Sequence, residues 1–146
     1  MFSPNQPFRV MGVLSMKSRD TKLQSVRFRA EEKARKVDDL ESMIRDFEQM
    51  AVDLDLQVRT EEERTGIKDP GHYAYSTFAK AAAQRRLNLA ASVDDLRAKL
   101  NAAIRERDNA LEDLEKAEAI EDRNSDRASR TMTGTGAQRS SGPMHG

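Results

Sequence analysis

Apolar residues return along this chain in alternating steps of three and four. One series is Leu23, Ala30, Val37, Ile44, Ala51 and Val58; the second is Val26, Lys33, Leu40, Phe47, Leu54 and Glu61. A seven-residue repeat of this length predicts an amphipathic helix that buries one narrow stripe against a partner helix. The same repeat reappears as Tyr75, Ala79, Ala82, Arg86, Leu89, Val93, Leu96, Leu100, Ala103, Arg107, Ala110, Leu114 and Ala117. It passes in phase through Ser92-Val93-Asp94-Asp95, which has the form of a helix start, so one continuous second helix is predicted. Each helix of about 45 residues would extend roughly 65–70 Å.

Between the two repeats lies Gly66-Ile67-Lys68-Asp69-Pro70-Gly71-His72-Tyr73-Ala74-Tyr75. Proline presets φ, aspartate bonds the backbone ahead, and glycine accepts positive φ, so Asp-Pro-Gly predicts a tight turn. Gly66 is the expected helix stop and Ser76 the expected cap of the second helix. Two long helices joined by a short connection fold back on each other. The predicted fold is therefore all-α: an antiparallel two-helix coiled-coil hairpin over residues 18–122, with its turn at 66–75.

The register follows from pairing seam residues whose numbers sum to 140. Ile44 then faces Leu96, Leu40 faces Leu100, Val37 faces Ala103, Phe47 faces Val93, Ala51 faces Leu89, Val26 faces Leu114 and Leu23 faces Ala117. Large residues meet small ones, as interdigitating packing favours. Two layers break the pattern, Lys33 opposite Arg107 and Leu54 opposite Arg86. The two cations of the first must turn out toward acidic neighbours such as Glu31, Glu32, Glu106 or Asp108. Charge supports the antiparallel pairing. Residues 17–36 are net +5 and residues 104–122 net −5; nearer the turn, residues 38–63 are net −8 and residues 68–99 net +3. Opposite blocks meet only in a hairpin, which disfavours a parallel dimer and predicts a monomer when free.

At 146 residues, with 37% hydrophobic and 34% charged residues, the chain suits a coiled coil better than a compact globule. The formal net charge of zero disfavours a generic polyanion binder, nucleic acid included. The absence of cysteine excludes a disulfide framework and suits the cytoplasm. No apolar run is long enough for a membrane span, and Val10-Met11-Gly12-Val13-Leu14 is too short for the core of a signal peptide. Helix one is expected to start near Ser18–Thr21, where Thr21-Lys22-Leu23-Gln24 has capping-box form. Residues 1–17 are read as a disordered leader, with Met16 as the expected translation start. Residues 123–146, rich in Ser, Thr, Gly, Arg and Gln, are read as a disordered tail.

No catalytic constellation appears. The two histidines, His72 and His145, lie apart in sequence, and no HExxH, CxxC, phosphate-binding loop or GxSxG is present. No enzyme activity, cofactor or metal is expected; Glu61-Glu62-Glu63 reads as a solvated helix face. The basic group Arg27, Arg29, Lys33, Arg35, Lys36 and Arg107 is a candidate anchor in an acidic socket. His72, Tyr73, Tyr75 and Phe78 at the tip either close the seam or form an aromatic docking patch. Met43 and Met50, with Val52 and Leu56, leave helix one more apolar than two strands require. They either give the seam extra cover or meet a third element.

Met16-Lys17-Ser18-Arg19-Asp20-Thr21 and Asp69-Pro70-Gly71-His72-Tyr73-Ala74-Tyr75, with Ala79-Lys80-Ala81-Ala82 and Gln84-Arg85-Arg86, resemble the flagellar export protein family FliJ in its alphaproteobacterial branch. The resemblance spans residues 16–122. It implies a cytoplasmic component of the flagellar type III export apparatus, at the basal body and peripheral to the membrane only through partners. Those partners would be the export ATPase, the export gate protein and export chaperones. The resemblance would place the end formed by Lys22–Lys36 and Ala110–Asp122 inside the ATPase ring. A generic dimerising or scaffolding coiled-coil adaptor would explain the heptads equally well.

Overall fold

In a computed structural model, the chain forms two helices, α1 (Gln6–Thr65) and α2 (Thr77–Ser140), and no strand among the described residues. The structure describes the backbone of residues 6–140 and the side chains of residues 19–131. Two compact units divide it. A turn unit covers Glu32–Arg107, and a terminal unit combines Met1–Glu31 with Asp108–Gly146.

The turn unit holds the main core. Val37, Leu40 and Ile44 of α1 pack with Val93, Leu96 and Ala103 of α2, and Phe47, Leu100 and Ile104 cover the cluster. Val37 is 1% exposed, the largest side chain that is fully buried. Ala79 and Ala82 are buried where α2 leaves the turn. In the terminal unit Ala30 and Ala110 are buried, and Leu23, Val26, Leu114 and Ala117 are half-buried. Every α1 position in the two predicted heptad series is buried or half-buried, because a narrow stripe is all that one partner helix can cover.

The cross-helix polar contacts report the register. Within the turn unit Arg86 meets Asp55 and Lys33 meets Glu106, pairs whose numbers sum to 141 and 139. Arg97–Glu48 there, and Arg27–Glu118 in the terminal unit, each sum to 145. All fall within five of 140, as expected where flanking positions pair beside the seam.

Both irregular layers resolve by turning charge outward. Lys33 stays half-buried along its stem and carries its ammonium to Glu106 Oε2 at 3.0 Å. Arg86 leaves the seam altogether: it is exposed and pairs with Asp55. It is the one predicted seam position of α2 that is exposed, since a guanidinium opposite Leu54 would have no acceptor there.

α2 runs unbroken through Ser92–Asp95. The helices also extend beyond the heptad-bearing stretch, so Thr21 lies inside α1 and starts nothing. Pro7 sits in the first turn of α1, where a missing N–H costs least, and no proline interrupts residues 8–65. The segments read as leader and tail are helical in backbone over residues 6–17 and 123–140; residues 1–5 and 141–146, with His145, lie outside the described residues.

Candidate partner-binding site

The turn is built from local hydrogen bonds. Gly66 takes φ 74°, and its N–H donates to Glu62 O at 2.9 Å, the left-handed cap that ends α1. Thr65 Oγ1 donates to Glu61 O at 3.1 Å and accepts from Ile67 N–H at 3.3 Å, holding the exit of the chain. Asp69 O accepts from His72 N–H at 3.0 Å, closing a β-turn around Pro70-Gly71. Gly71, expected at positive φ, keeps a negative one, because Pro70-Gly71 forms a turn that needs no left-handed residue. Its N–H donates instead to Asp69 Oδ1 at 2.9 Å, and a Cβ there would meet that same oxygen at 3.4 Å, an ordinary contact.

Ser76 caps α2: its Oγ accepts from Ala79 N–H at 3.2 Å and donates to Glu61 Oε1 at 2.9 Å. Glu61 also receives the Arg64 fork, Nε to Oε2 at 3.0 Å and Nη2 to Oε1 at 2.6 Å. The Arg64 hydrogen bond, followed by that of Ser76, lowers the Glu61 carboxyl to about 2. The same fork raises the Arg64 guanidinium, just as Asp55 raises that of Arg86. Beside it the Tyr75 hydroxyl donates to Glu62 Oε1 at 2.9 Å, which raises its pKa. Glu61 and Glu62 are therefore not a solvated face; they tie the end of α1 to the start of α2. The Glu61–Arg64 spacing of three was the available signal, but no spacing shows that Ser76 reaches across the turn.

The four tip aromatics do different things. His72 and Tyr73 stack, with ring centroids 4.6 Å apart, and Tyr73 is 96% exposed. His72 Nδ1 accepts from Ala74 N–H at 3.0 Å, which orients the ring. Tyr75 is turned inward to Glu62, and Phe78 is 57% exposed on the first turn of α2. His72 and Tyr73 thus form an exposed stacked pair, Phe78 is exposed separately, and Tyr75 ties the turn to α1.

The basic candidates also separate. In the terminal unit Arg27 lies 3.7 Å from Glu118, and Arg29 is exposed. In the turn unit Lys33 and Lys36 share Glu106, at 3.0 and 4.0 Å, Arg35 is exposed and Arg107 is half-buried. Arg29 and Arg35 are the exposed cations of the group that make no ion pair among the described residues.

Sequence reasoning did not find a groove in the turn unit. Met50, Asp53, Leu54 and Gln57 of α1 and Arg85, Asn88, Leu89 and Ser92 of α2 enclose about 510 Å³. Leu54 and Leu89 are half-buried in it, and Arg86, turned to Asp55, does not line it. A smaller groove of about 340 Å³ in the terminal unit is lined by Leu23, Val26, Ala117 and Ile120. No described helix is long and apolar enough to cross a membrane. No family model, curated protein or solved structure matches the chain.

Proposed function

We propose that the chain is a coiled-coil stalk and escort component of a bacterial flagellar type III export apparatus. In this reading it acts on the export ATPase ring and links that ring to the export gate and to chaperones. The observation that carries the reading is the antiparallel pairing of α1 with α2 inside each unit, with opposite charges meeting across the helices: Lys33–Glu106 and Glu48–Arg97 in the turn unit, Arg27–Glu118 in the terminal unit. Paired helices with charged flanks are suited to a socket lined by complementary charge, and the resemblance of residues 16–122 to the FliJ family supplies the system. Arg29 and Arg35 are the cations most available to the ATPase, and the His72–Tyr73 pair is the contact offered to the gate. The protein would work in the cytoplasm at the basal body and would be a monomer when free.

The test is a titration of the full chain into the flagellar export ATPase of the same source, with ring assembly and ATP hydrolysis as readouts. Saturable binding that raises both, weakened by Arg29→Glu with Arg35→Glu, is expected. A folded chain without effect on either overturns the reading. The adaptor alternative draws on exposed Met43, Met50, Val52 and Leu56; it would instead show tight self-association of the chain alone.

A further inference from the structure

From Met43 toward the turn, the two sides of the seam in the turn unit are unlike; farther from the turn, Lys33 and Lys36 meet Glu106, and Lys36 lies on the same ridge as Met43 and Met50. On one side the helices are stitched by Glu48–Arg97 at 2.7 Å, by Asp55–Arg86 and by Tyr75 on Glu62. On the other side lies the 510 Å³ groove, with Met50, Leu54 and Leu89 along its floor. Met43, two turns of helix before Met50, continues the floor at 43% exposure, and Met50 is itself 50% exposed. Methionine is the side chain that adapts most readily to a partner's surface.

The rims differ in sign. On α1, Asp39, Asp46 and Asp53 recur every seven residues along one ridge, and all three are exposed. On α2 the facing rim carries Arg85 and Lys99, with Asp95 one turn before Lys99. Among the described residues Asp39, Asp46, Arg85 and Lys99 make no hydrogen bond or ion pair, and Asp53 holds only Gln49 Nε2 at 3.1 Å. Charges that could have stitched this side, as they do the opposite one, are left facing outward over an apolar floor.

We infer that this groove seats one amphipathic helix of a partner protein, with its apolar stripe on Met43, Met50, Leu54 and Leu89. Its edge over α1 is basic, facing Asp39, Asp46 and Asp53, and its other edge is acidic where it meets Arg85. A groove between two helices is filled by the ridge of a third. A second copy carries the same two rim signs, so the oligomeric state in solution separates it from a partner helix. The opposite rim signs set the direction in which the helix lies and reject a helix with one sign on both edges. The inference does not depend on the export reading, since it rests on this groove alone.

The test uses the full chain and three fluorescein-labelled helical peptides sharing one leucine stripe. One has a lysine edge and a glutamate edge, one has lysine on both edges, and one has glutamate on both. The mixed peptide should bind saturably in fluorescence anisotropy, about tenfold more tightly than either other. Asp46→Lys with Asp53→Lys should weaken the mixed peptide about tenfold and strengthen the all-glutamate one. Met50→Asp should abolish binding, while Val52→Asp, exposed outside the groove, should leave it unchanged; circular dichroism checks that each variant stays helical. The inference is overturned by no saturable binding to the folded chain, by equal binding of all three peptides, or by binding indifferent to Met50→Asp. It is also overturned if sedimentation equilibrium shows a dimer that Met50→Asp dissociates, since a second copy would then be the occupant.

Discussion

Ile44 and Leu56 are branched aliphatic residues of similar size on the same helix, with opposite environments. Ile44 is 8% exposed within the Val37–Leu96 cluster, whereas Leu56 is 59% exposed. Ile44→Ala removes about three carbon groups from the seam, each contributing roughly 0.8 kcal/mol when buried. A cavity adds to this, but a two-helix seam lies close to water on both flanks and cannot hold a large dry void. The expected loss is about 2–3 kcal/mol, the lower part of the range for such truncations. Leu56→Ala should change stability by less than about 0.5 kcal/mol, as surface substitutions do. The assay is urea unfolding followed by tyrosine fluorescence. Both tyrosines, Tyr73 and Tyr75, lie in the turn unit and the chain has no tryptophan, so the signal reports the unit that contains Ile44. With a urea dependence of about 1–3 kcal/mol per molar, the Ile44→Ala midpoint should fall by about 0.7–3 M. Equal shifts for the two variants, or no shift for Ile44→Ala, would refute the seam assignment.

Three further outcomes follow from the turn and its neighbours. Gly66→Ala should destabilise the hairpin by about 1–2 kcal/mol through the left-handed backbone alone, because a Cβ there meets nothing within 4 Å, and Gly66→Asn should cost less in the same urea assay. Glu61, held at about 2 by Arg64 and Ser76, binds its proton less readily folded than unfolded. Its stabilising contribution is therefore complete above the ordinary carboxylate range and is lost as pH falls toward 2, so Glu61→Gln should flatten the acid limb of a melting-temperature profile between pH 5 and 2. Arg86→Leu should raise the thermal unfolding midpoint of the turn unit, because a leucine partly buried against Leu54 contributes more than a solvent-screened pair with Asp55.

Much of the fold was legible in the chain because a heptad repeat is a local code. Val37, Leu40, Ile44, Val93, Leu96 and Ala103 could be assigned to the seam from spacing alone, and their pairing followed from requiring large residues to meet small ones and positive blocks to meet negative ones. Gly66 and Ser76 were legible for a similar reason, since stop and cap chemistry depends on a few neighbouring residues. The roles of Glu61 and Glu62 were not, because Ser76 and Tyr75 come within reach only once the turn has closed.

The division between sequence and tertiary structure is clearest at Arg86. Its number in the heptad placed it in the seam, and sequence alone could say only that a cation there conflicts with Leu54. The packed pair decided how the conflict ends: the guanidinium turns to Asp55 and stitches one side of the seam, while the groove lies along the side that Met50 and Arg85 line. Periodicity determines which face of a helix is buried, because it depends on the geometry of one helix. Which flank closes and which stays open is set by where charged side chains find partners across the gap, and that distance exists only when both helices are in place.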